Sequence, residues 1–228
     1  MAGDTQIHEL ERLLAAAQER QNAASAAVLG LHQGGEWQAY DAACAQVLAL
    51  ERRVAAAKGE PHAVPLEFPV RWNTGAPLPH LISNDHQTFL AFRIRVPDPD
   101  WDGSYATARS PDAVTVEPLA LVEFQRCASA KLGAPNDEVF SGHPLHGRGL
   151  EPYTAQLVVG SPWLAEMERI NSIHPGYCPE RWRSLKHYVF WFHDVTFECV
   201  AESFSVEVFH ETFAALLARV CARITSRG

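Results

Sequence analysis

Polar and apolar residues alternate most regularly from His187 to Phe204, HYVFWFHDVTFECVAESF. The stretch is dense in aromatic and β-branched residues, which favours strand over helix. Asp194-Val195 interrupts it and predicts a hairpin. Either the tip is a two-residue loop there or the turn is longer and bulged, valine being a poor turn residue. With the two-residue tip, His193 faces Thr196, Trp191 faces Glu198, Val189 faces Val200 and His187 faces Glu202. Side chains alternate along a strand. Tyr188, Phe190, Phe192, Phe197, Cys199 and Ala201 then form a core face. His187, Trp191, His193, Glu198 and Glu202 form the other, which is either solvated surface or the floor of a site.

The N-terminal quarter carries a different period. From Asp4 to Leu29, Ile7, Leu10, Leu14, Ala17, Ala24 and Val28 recur at steps of three and four, with Gln21 as the polar exception. This is a coiled-coil-like seam, capped by Asp4 or Thr5 and followed by the breakers Gly30 and Gly34-Gly35. A second helix is predicted over Glu36–Lys58, with Trp37, Tyr40, Cys44, Val47, Leu48 and Val54 on one side and Gly59 and Pro61 ending it. At roughly 1.5 Å per residue each helix spans about 35 Å. The short connection predicts an antiparallel helical hairpin.

Beyond it, the prolines between Pro61 and Pro79 predict an extended linker or edge segment. Thr88–Val96 reads as a strand, and Ala113–Gln125 as a second, broken by Pro118, whose later half pairs with the first. The loop between them has turn signals at Asp98-Pro99 and Asp102-Gly103. Residues 126–150 look irregular, Tyr153–Val159 is a short strand, and Ser161-Pro162 opens a helix running to Ile173. Pro179–Arg183 fits one more helical turn, and Val206–Ile224 reads as a closing helix with Phe209, Phe213, Leu216, Leu217, Val220 and Ile224 inward. Without βαβ alternation, the predicted class is α+β: a helical hairpin (1–60), a proline-rich segment (61–80), and a mainly antiparallel sheet domain closed by a C-terminal helix (81–228).

The net charge of −8 argues against nucleic acid or an anionic membrane as partner. No apolar run reaches the ~18 residues of a membrane span, and no signal peptide is evident at Met1. Five scattered cysteines without a CxxC fit a reduced cytoplasmic protein.

Candidate chemistry falls in two stretches. The loop SGHPLHGRGL, Ser141–Leu150, has glycines that allow close backbone approach, with His143, His146 and Arg148 for proton transfer, metal ligation or anion capture. The same loop also fits a plain turn with Arg148 paired to Asp137, Glu138 or Glu151. His193 with Asp194 and Glu198 offers a second half-site. Histidines with a carboxylate suit zinc or non-haem iron, but no HExxH or close HxH fixes a ligand set, so no metal ligand or cofactor is assigned. Cys199 reads as a buried, inert thiol and Cys178 as the better reactive one. Arg181, Trp182, Arg183, Lys186 and His187 form a small basic group expected to pair with Glu180 or Glu202.

The expectation is a small-molecule-binding protein or enzyme, its pocket between the 141–151 loop and the 187–204 hairpin. His143, His146, His193 and Glu198 are the catalytic candidates, and Arg148, Trp191 and His187 the ligand-binding ones, for a ligand that includes an anionic group. The alternative is a non-catalytic protein that forms a homo-oligomer or docks a partner through residues 4–58, because a lone two-helix hairpin buries too little to stand by itself. The sequence names neither substrate nor reaction.

Overall fold

The computed structural model describes residues 2–30, 35–95 and 115–226. The predicted loop with its turns at Asp98-Pro99 and Asp102-Gly103 lies outside them, as do Val96, Ala113, Val114 and Gly34. The fold is α+β. Helices α1 (Ala2–Gly30) and α2 (Glu36–Lys58) come first. Among the described residues nine strands follow: β1 (His62–Pro65), β2 (His80–Ser83), β3 (Thr88–Arg93), β4 (Glu117–Gln125), β5 (Ser129–Gly133), β6 (Ala155–Val159), β7 (Lys186–Trp191), β8 (Thr196–Ala201) and β9 (Ser203–Glu211). Among them lie α3 (Pro162–Asn171) and α4 (Pro179–Arg183), and α5 (Phe213–Ser226) ends the described chain.

All strand pairs are antiparallel, in a five-stranded sheet of order β1-β6-β7-β8-β5 and a four-stranded sheet of order β2-β3-β4-β9. The sheets face each other across one aromatic core. Leu90, Phe92, Val122 and Phe124 come from one side, and Tyr188, Phe190, Phe192, Phe197, Cys199 and Ala201 from the other. Those six are the core face expected of the 187–204 hairpin. Its register differs. The loop is His193-Asp194, closed by the Phe192 N–H to Val195 carbonyl bond, and Trp191 faces Thr196, Val189 faces Glu198 and His187 faces Val200. The slip is two residues, so every side chain keeps its face.

Four other expectations are corrected. The closing helix begins only at Phe213, because Ser203–Glu211 alternates as a strand against β4. Pro118 does not break β4, since it is that strand's second residue. The segment read as irregular contains β5 on the edge of the larger sheet, whose opposite edge is β1, from the proline-rich stretch read as a linker or edge segment. Strand β3 is buried on both faces rather than one: Phe89 and Ala91 meet Leu216 and Val220 of α5, while Leu90 and Phe92 enter the sandwich.

The helices pair antiparallel, with Glu11 on Lys58 at 2.8 Å and Gln21 donating to the Cys44 Sγ at 3.1 Å. Among the described residues, the buried seam of the pair lies in the half nearer the sheets, from Leu10, Ala17, Val47, Leu50 and Val54. At the other end Leu29 and Trp37 are exposed. The pair is anchored in cis through α2. Arg52 donates to the carbonyls of Ala63 (3.1 Å) and Gly149 (2.9 Å), and the Gly149 N–H donates to Glu51 (3.0 Å). No helix is long and apolar enough to cross a membrane among the described residues.

Candidate functional site

Polar side chains converge on the outer face of β5, β7 and β8. Gly160, at φ 66°, turns the chain out of β6 and sets Ser161 at the start of α3. The Ser161 Oγ accepts the Leu164 N–H at 3.1 Å, as the Ser-Pro pattern predicts. Lys131 and Glu198 are direct partners across β5 and β8, and His187 is diagonal to Glu198 because it faces Val200. These neighbours form one chain of contacts: Ser161 Oγ to His187 Nδ1 at 2.8 Å, His187 Nε2 to Glu198 Oε2 at 2.9 Å, and Lys131 Nζ to Glu198 Oε1 at 2.8 Å.

Burial pushes the Glu198 carboxyl up, but the His187 imidazole and the Lys131 ammonium outweigh it and hold the group at about 2. Glu198 is thus an acceptor only. His187 donates its Nε2–H to it, and in the neutral ring Nδ1 is then the acceptor for the Ser161 hydroxyl proton.

The opposing wall is the segment from Ala134 to Arg148. It is stitched at its start, where the Asp137 N–H donates to the His193 carbonyl at 3.0 Å and the Tyr153 hydroxyl donates to Asp137 at 2.5 Å. Farther on, the rings of Phe140 and His143 stand edge-on against Trp191, at 4.9 and 5.3 Å between centroids. Between this wall, the sheet and Trp163 of α3 lies a cavity of about 560 Å³. Its apolar lining includes Pro61, Pro135, Val139, Leu145 and Trp163, and its polar lining is Lys131, His143, Arg148, His187 and Glu198.

Desolvation lowers the His143 pKa, favouring the neutral ring. The Leu145 N–H donates to its Nδ1 at 3.2 Å, which places the ring proton on Nε2. His143 therefore offers the cavity a donor. Lys131 stands over the Trp163 ring at 4.8 Å, and Arg148 reaches Glu60 at 3.4 Å rather than Asp137, Glu138 or Glu151.

Of the candidates named from sequence, His143, Arg148, His187 and Glu198 line this one cavity. Trp191 does not. It is fully buried beneath the wall with Ala63, Leu145 and Leu150. His193 sits at the hairpin tip against Asp194 (3.0 Å) and Asp137 (3.6 Å), where the Asp194 hydrogen bond raises its pKa. His146 packs on Phe140 and lines a separate cleft with Glu11 and Lys58 of the helices. Both were expected in the pocket, and their strand-tip and loop-tip positions carry them out of it.

Sequence reasoning missed Lys131, because β5 was not recognised, and took Ser161 for a helix cap alone. Alternation of Ser129 and Lys131 with Ala130 and Leu132 was the available signal for β5. Cys199 is buried and its thiol is pushed well up by burial. Its neighbour Cys127 is drawn to about 7 by the Cys199 thiol, against its own burial. Cys178 donates to Glu180 at 3.3 Å, and Arg183 pairs with Glu180 while Glu202 pairs with Arg126. Among the described residues, no three His, Cys, Asp or Glu side chains are grouped so as to hold a metal ion. No protein-family model, curated protein or solved structure matches the chain.

Proposed function

We propose that the cavity beside Glu198 binds a small organic anion. A carboxylate or comparable acceptor lies at its polar end, and an apolar body extends along Val139, Leu145 and Trp163. One observation carries this reading. Both Glu198 oxygens are engaged, by Lys131 and His187, so the charge of the site's carboxylate is compensated from within the protein. The polar lining then includes donors: the His143 Nε2–H, the Lys131 N–H groups not bound to Glu198, and the Arg148 guanidinium, which also reaches Glu60 at 3.4 Å. Donors whose cavity carboxylate is already charge-compensated favour a ligand that brings acceptors of its own.

The test is calorimetric titration with a series of aromatic and aliphatic carboxylates, each beside its neutral amide. The carboxylates are expected to bind more tightly than the amides. Arg148→Ala and His143→Ala are each expected to weaken binding roughly tenfold, about 1.5 kcal/mol, the worth of a hydrogen bond to a charged group. Equal binding of acid and amide, or binding indifferent to both substitutions, would overturn the reading.

A further inference from the structure

Ser161 is more than a cap. A cap needs one acceptor oxygen, which threonine, asparagine or aspartate supplies equally well. Here the capping hydroxyl is also 2.8 Å from a buried imidazole whose other nitrogen is held by a carboxylate that is 12% exposed. Burying a histidine–glutamate pair carries a desolvation cost that capping does not require. The order hydroxyl, imidazole, carboxylate is that of an activated nucleophile, recognised by geometry and roles and not by sequence position.

Ser161, itself buried, also lines a second groove. Beside the first cavity, with which it shares Val158, Pro162 and His187, lies a groove of about 550 Å³ whose lining adds Ser161, the charged Glu168 and Lys186, and the apolar Val159, Leu164 and Leu185. The amino end of α3 meets it there, where a helix dipole is positive and favours a developing oxyanion.

We infer that Ser161 is the nucleophile of an acyl-transfer site for esters with an apolar acyl group, with His187 as its base. The Ser161 Oγ adds to the ester carbonyl carbon as its proton passes to His187 Nδ1. The carbonyl–alkoxy bond breaks, and His187 returns the proton to the departing alcohol. Water then adds to the acyl-serine while His187 takes its proton. The carboxylic acid leaves, and the proton on His187 restores the serine hydroxyl. Glu198 is a positioning residue that holds the imidazole in the required tautomer, and Lys131 fixes Glu198 in turn. The inference does not rest on the anion-binding reading, although its product belongs to the class of ligand proposed for the neighbouring cavity.

The experiment uses the full chain. An alkyl fluorophosphonate in excess is expected to leave a covalent adduct on Ser161, located by peptide mass spectrometry. p-Nitrophenyl butyrate is expected to be hydrolysed about a hundredfold faster by the wild type than by Ser161→Asn, which keeps a capping side chain, or by His187→Gln. Absence of the adduct, or hydrolysis that persists in Ser161→Asn, would overturn the inference. If Ser161→Asn fails to fold, the adduct on the wild-type protein decides by itself. Loss of carboxylate binding in the titration leaves this result untouched, so the two ideas can fail separately.

Discussion

At the scale of the residue, Glu198 sets the charge state of the site. Its folded pKa, about 2, lies below the ordinary value of 4.5. The sign follows from linkage: a carboxylate favoured in the folded state adds stability above pH 4.5 and loses it as the pH falls towards 2. The side chain is 12% exposed, so solvent screens little of the effect, which is on the order of 3 kcal/mol. Urea unfolding at stepped pH should show the wild type exceeding Glu198→Gln above pH 4.5 and the gap closing towards pH 2; a constant gap would count against the ion pair. Glu198 was legible from sequence because a two-residue slip of register leaves a strand's faces unchanged. Lys131 was not, because its partner is set by pairing across 67 positions, Lys131 on Glu198, and no local spacing encodes that.

At the scale of the element, the 145–151 turn and α2 are fitted around Gly149. Its φ is +81°, and a Cβ there would stand 2.3 Å from Arg52 Cγ and 2.7 Å from the Ala63 carbonyl oxygen. Arg52 can swing aside, but the backbone of β1 cannot. Gly149→Ala is expected to cost about 2 kcal/mol or more through the left-handed backbone and the clash together, read as a lower midpoint in denaturant. A change below about 0.5 kcal/mol would show that the turn relaxes freely. The glycine was visible in the sequence, but the approach of α2 to it was not. Elements with a single strong period were read well: α2 has the predicted bounds, and α3 starts at the predicted cap. Ser203–Glu211 was misread because Phe209, Phe213 and Leu216 also satisfy helical spacing across the strand–helix junction. Thr212, which accepts the Ala215 N–H at 3.2 Å, marks where the period changes.

At the scale of the whole molecule, α+β class, antiparallel pairing and helical hairpin followed from periodicity, whereas the division into two sheets did not. That division depends on the chain crossing between layers at 65–80, at 125–129 and again at Glu202, where the Glu202 N–H donates to the Gln125 carbonyl at 3.0 Å. Deleting residues 2–58 tests how far the helices and the sandwich depend on each other. The shortened chain, if folded by circular dichroism, is expected to lose at least tenfold in carboxylate affinity, about 1.4 kcal/mol. Unchanged affinity with a drop from dimer to monomer in sedimentation would instead mark the helices as an assembly device. The expectation comes from Arg52 and Glu51, which grip the same turn that carries Arg148 and continues into the cavity wall. The two helices thus serve as a splint: whatever bends or loosens them is transmitted to the chamber beside Glu198, whose lining includes Pro61 just past α2 but no described residue of either helix.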